Sequence, residues 1–82
     1  MQTILDFTKE IVDEIRRYAD EFTLTFTPDA IRIIDYFDDE DWTVINEITF
    51  TNGLFDVSID YGDDIVENQF KSVKEAVDFI FE

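Results

Sequence analysis

Apolar positions recur at helical spacing from residue 4 to residue 22. Ile4, Phe7, Ile11, Ile15, Tyr18 and Phe22 gather on one arc with Leu5, Val12 and Ala19, while Asp6, Lys9, Glu10, Asp13, Arg17 and Asp20 fall opposite. This predicts an amphipathic helix over 4–22, with Thr3 as its cap and Asp6 at the third helical position. The period then changes to two. Phe22, Leu24 and Phe26 alternate with Thr23, Thr25 and Thr27, the pattern of a strand with one buried face. Thr27-Pro28-Asp29-Ala30 reads as a turn, with proline pre-set at its second position.

Further strands follow at 30–37, 41–50 and 54–61, the last two joined by Asn52-Gly53, the strongest hairpin signal in the chain. Gly62-Asp63-Asp64 turns the chain again, and 65–70 reads as a short fifth strand or an extended connection. Ser72-Val73-Lys74-Glu75 is a capping box, opening a helix through Val73, Ala76, Val77, Ile80 and Phe81. The predicted fold is α+β, a single domain over 1–82. It is a two-layer sandwich of N-terminal helix, four- or five-stranded antiparallel meander and C-terminal helix.

Turn length fixes register. A two-residue Asn-Gly turn sets Thr51 against Leu54, so Phe50 opposes Phe55, Ile48 opposes Val57, Asn46 opposes Ile59 and Val44 opposes Tyr61. That face is the expected core, with Asn46 as a satisfied buried amide bonded to helix backbone. A two-residue Pro28-Asp29 turn adds Leu24, Phe26, Ile31 and Ile33 to the same face. The reverse face then carries Thr49 with Asp56, Glu47 with Ser58, and Ile45 with Asp60, beside Arg32, Ile34 and Tyr36. Acids and apolar groups are interleaved there, as in a contact surface where charge steers and neighbouring apolar groups supply affinity.

Composition sharpens this reading. The 82 residues include 21 acids against six bases, a formal net charge of −15 with no histidine. At 45% apolar residues, with only two Gly and one Pro, the chain is expected to fold despite that charge. The excess costs stability through self-repulsion. It also disfavours direct nucleic-acid binding and an anionic membrane surface, both of which would be repelled. The densest acids, Asp38, Asp39, Glu40 and Asp41, lie between Tyr36-Phe37 and Trp42, where a partner's arginine could stack on a ring while bonding a carboxylate. The candidate partner-binding residues are therefore Asp35, Tyr36, Asp38, Asp39, Glu40, Asp41, Trp42, Glu47, Asp56 and Asp60.

Catalytic and metal chemistry find little support. There is no His, no Cys and no Gly-rich phosphate loop, so no enzyme activity and no cofactor are expected. The acids of 56–67 approach an EF-hand spacing, but the sixth position, which requires Gly, is Tyr61, and a solvated hairpin is the better reading. The N-terminus lacks a basic region followed by a long apolar core, and no stretch approaches about 18 apolar residues. With no cysteine, a cytoplasmic location is expected.

In size, charge and lack of catalytic residues the chain resembles the phage-encoded anti-CRISPR and anti-restriction DNA mimics, and nuclease-toxin immunity proteins share the same acidic logic. The resemblance involves no shared motif and assigns no residue a role. It implies an inhibitor, acting in the bacterial host cytoplasm, that occupies the basic surface of a nucleic-acid-binding protein such as a CRISPR effector or nuclease. Alternate residues on a strand lie about 6.6 Å apart, so Glu47, Asp56 and Asp60 present carboxylates on the scale of backbone phosphates, one per about 3.4 Å of each DNA strand. The second reading is a small cytosolic adaptor or interaction domain, self-associating as a homodimer through the outer sheet face, whose acidity serves solubility.

Overall fold

Five antiparallel strands form one sheet in simple meander order, β1 (Thr23–Phe26), β2 (Ile31–Phe37), β3 (Trp42–Thr51), β4 (Leu54–Asp60) and β5 (Ile65–Phe70). The structure, a computed structural model, describes residues 2–37 and 42–81. A 3-10 turn at Ile4–Phe7 runs into α1 (Thr8–Ile15), and α2 (Val73–Phe81) closes the fold. This is the expected α+β arrangement, with residues 65–70 a true fifth strand.

The turns set the sheet as their chemistry requires. Asn52 and Gly53 take φ of 55° and 81°, the double left-handed geometry of a two-residue hairpin turn. The register that follows pairs Phe50 with Phe55, Ile48 with Val57 and Asn46 with Ile59. At the other hairpin, Thr27 N–H donates to the Ala30 carbonyl at 2.9 Å, and Phe26 pairs with Ile31. Both helices cover the face so defined. Ile4, Ile11 and Ile15 join Ile31, Ile33, Ile48, Val57 and Ile59 of the sheet and Val73, Ala76 and Val77 of α2 in one buried cluster. Phe7 seals one end, its ring centroid 4.9 Å from those of both Phe50 and Phe55. Asn46, 2% exposed, donates to the Ile33 carbonyl at 3.1 Å. This amide bond goes to the residue beside it on β2.

The first helix is shorter than its period suggests. After Ile15 the bonds tighten, with Arg17 N–H to the Glu14 carbonyl and Tyr18 N–H to the Ile15 carbonyl, both three residues back. Phe22 satisfies the helical and the strand periods at once yet lies in neither element, since strand pairing with β2 begins at Thr23. Tyr18 and Leu5, expected on the apolar arc, are exposed. The start is as read: Thr3 N–H donates to Asp6 Oδ2 at 2.9 Å. Ser72 Oγ likewise accepts from Glu75 N–H at the start of α2. Phe26 lies on the helix side of the sheet yet is 51% exposed, because α2 packs on β4 and β5 and leaves the β1 edge uncovered.

Candidate functional site

With both helices on one side, the other side of the sheet is open, and strand pairing lays its residues out in rows. One row runs Thr25, Arg32, Glu47, Ser58, Glu67. The next runs Thr23, Ile34, Ile45, Asp60, Ile65, and on the other side Thr49, Asp56, Gln69. Four carboxylates consequently surround Ser58. Glu47 and Glu67 flank it across the strands, roughly 9–10 Å apart, while Asp56 and Asp60 flank it along β4, roughly 13 Å apart. Beside Ser58, on the Asp56 side, lies a shallow depression of about 440 Å³ lined by Glu47, Asp56, Ser58, Glu67 and Gln69.

Two of these acids are already engaged. Arg32, the one base within the five strands, donates from Nε to Glu47 Oε2 at 2.8 Å, and the two are direct cross-strand partners. Asp60 Oδ1 accepts the Gly62 N–H at 2.8 Å, holding the β4–β5 turn, where Gly62 takes φ of 97°. The neighbouring acid Asp64 accepts the Ile65 N–H. Residues 56–67 thus fold as a hairpin with strands on both sides of the turn, not as a calcium loop between helices. Among the described residues no three acids are placed to hold a metal ion.

The structure brings Glu47, Asp56 and Asp60 together as the register predicted. For Asp35, Tyr36 and Trp42 it gives the strand pairing, with Val44, Thr43 and Phe37 respectively. The run Asp38, Asp39, Glu40 and Asp41 lies outside the described residues. Ile34 and Ile45 are half-buried by their neighbours in the row, and Ile65 is 57% exposed.

Two members of the surface escaped the sequence reading. Glu67 follows from carrying the register through the Gly62 turn, where Asp60 pairs with Ile65 and Ser58 with Glu67. The Arg32–Glu47 ion pair follows from joining the two hairpin registers into one row. Comparison with known proteins returns no matching family model, no matching curated protein and no matching solved structure. Among the described residues no helix is long and apolar enough to cross a membrane.

Proposed function

We propose that this protein is an acidic inhibitor that binds a partner protein on its basic, nucleic-acid-binding surface, of the kind found on nucleases and CRISPR effectors. The observation that carries this reading is the open sheet face. Glu47, Asp56, Asp60 and Glu67 are held at fixed strand spacings on a scaffold whose opposite face is the core. A rigid array needs no ordering on binding, so little of its electrostatic attraction is offset by lost conformational freedom. The net charge of −15 supplies long-range steering toward a positive surface. Stacking two copies through this face would set acids against acids, which favours a basic partner over self-association there.

The experiment is capture from a cell extract on the immobilised protein at low and at high salt, beside a triple variant, Asp56→Asn, Asp60→Asn, Glu67→Gln. Basic nucleic-acid-binding proteins retained at low salt, released at high salt and lost by the triple variant support the proposal. Purified captured proteins should then lose their hold on labelled nucleic acid as the protein is added. Capture that the triple variant leaves unchanged would remove the open face from the mechanism.

A further inference from the structure

β5 ends the sheet, and its outer edge has the properties of a pairing surface. Of its six residues, all except Phe70 are exposed, including Ile65 at 57% and Val66 at 38%. It contains no proline and no base, two of the usual devices that keep an edge strand from pairing. The opposite edge differs: β1 has four residues, and Pro28 follows one residue after its end.

The phase of the β4–β5 ladder shows which groups that edge offers. Tyr61 N–H donates to the Asp64 carbonyl at 2.9 Å, so Tyr61 and Asp64 form a hydrogen-bonded pair. Alternation along an antiparallel ladder then turns Val66, Asn68 and Phe70 toward β4, and Ile65, Glu67 and Gln69 away from it. Two side-chain bonds agree with this phase. Ile65 N–H is taken by Asp64 Oδ1 at 2.9 Å, and Gln69 N–H by Asn68 Oδ1 at 2.8 Å. The outward amides of Ile65 and Gln69 are thus each held by the side chain of the preceding residue, on an edge with no strand beyond it.

We infer that β5 is a self-association edge, pairing antiparallel with β5 of a second copy of this chain about a twofold axis at Asn68. The sequence selects that register. Antiparallel partners on the same face have numbers of like parity, so Glu67 can oppose Ile65, Glu67, Gln69 or Lys71 of the second copy, and the Ile65 register leaves only 65–67 of the two strands paired. Glu67 against Glu67 sets like charges in direct opposition. Glu67 against Lys71 shortens the overlap to residues 67–71. Glu67 against Gln69 keeps 65–71 paired, places Lys71 diagonal to Glu67, and lays Val66 beside Phe70 on the helix side. Glu67 and Gln69 then form the hydrogen-bonded pairs, and Asn68 releases the Gln69 amide to the second copy. The two sheets become one, and the acidic faces lie on the same side.

Two chains of net charge −15 repel, so this association strengthens as salt rises. Binding of a basic partner through the open face weakens with salt, so the two interactions are distinguished by sign, and either can fail without the other. The test is sedimentation equilibrium of the full chain over a concentration series at low and high salt. A monomer–dimer equilibrium that tightens with salt is expected. Gln69→Pro removes an edge-facing amide without removing a bond of the β4–β5 ladder and should weaken the dimer about tenfold or more, with helix and strand content unchanged. Should that variant not fold, Val66→Lys makes the same comparison by setting a charge against Phe70. Amide exchange at Glu67 and Gln69 should slow with protein concentration, while exchange at Leu24 and Phe26, whose amides face outward on the opposite edge, should not. A chain monomeric at about 1 mM in high salt, or a dimer that these substitutions leave equally tight, overturns the inference.

Discussion

Phe55 tests the sheet register through stability. Its position was fixed by counting back from Asn52-Gly53, and the structure buries it to 4% exposure with Phe7 edge-on at 4.9 Å and Phe50 tilted at 4.9 Å. Phe55→Ala removes a ring from a site closed by strand neighbours below and by the 3-10 turn above, where the surroundings have little freedom to collapse. The cost is the lost transfer of the ring plus the cavity it leaves, about 3–5 kcal/mol. A chain of 82 residues has a total stability of about 4–12 kcal/mol. This one change should therefore remove much of it, and at the low end of that range nearly all.

Phe26 supplies the internal control. It is the same residue type on the same sheet face, but it is 51% exposed at the uncovered β1 edge, and Phe26→Ala should cost no more than about 1.5 kcal/mol. Urea unfolding followed by circular dichroism, with equal m-values for the two variants, measures the difference directly. A Phe55→Ala variant that loses no more than Phe26→Ala would refute both the register and the assignment of the helix-covered face.

Asn46→Ala removes the buried donor to the Ile33 carbonyl and should lower stability by about 1–3 kcal/mol in the same assay. On the helix surface, Asp78 is held below the usual carboxylate range, first by the Lys74 hydrogen bond and then by the Tyr18 hydroxyl, and Lys74 is raised by the same bond. A depressed acid contributes stability above its unfolded value and loses it as pH falls through the folded one. The raised lysine keeps its contribution until pH climbs past the ordinary lysine range. Asp78→Asn should therefore melt below the native chain at neutral pH, and the gap should close on acidification. Crowded carboxylates predict that moderate salt raises the melting temperature, and a steady fall would count against charge repulsion as a cost. Arg32→Gln frees Glu47 from its ion pair and should tighten binding of a captured basic partner, with slower dissociation at low salt.

The sequence was most informative where turn chemistry and alternation agreed. Asn52-Gly53 admits few backbone geometries, so a two-residue loop and every pair from Phe50–Phe55 to Ile45–Asp60 follow from it. Helix length was legible only up to Ile15, because an apolar period does not reveal whether either of two elements owns a residue such as Phe22. Phe26 shows a different gap: alternation assigns a residue to a face, but how far the helices spread over that face depends on packing. Glu67 was hidden because its place follows only when the register is carried across the Gly62 turn, where Tyr61 meets Asp64 and Asp60 meets Ile65.

One sheet face must be apolar to hold two short helices, and that requirement concentrates the charge on the other. Each strand alternates, so every inward Ile or Val obliges an outward neighbour, and on β4 those neighbours are Asp56, Ser58 and Asp60. Solubility alone could have been served by lysines, or by acids and bases in alternation across the rows, which would also have stabilised the sheet through cross-strand pairs. Among the described residues, only Arg32 against Glu47 uses that option. Around Ser58 the other three carboxylates remain without a base across the strand, and helix coverage gives them no shelter. The arrangement forgoes a stabilisation available to any antiparallel sheet, which is why the open face, more than net charge itself, points to a positively charged partner as what completes it.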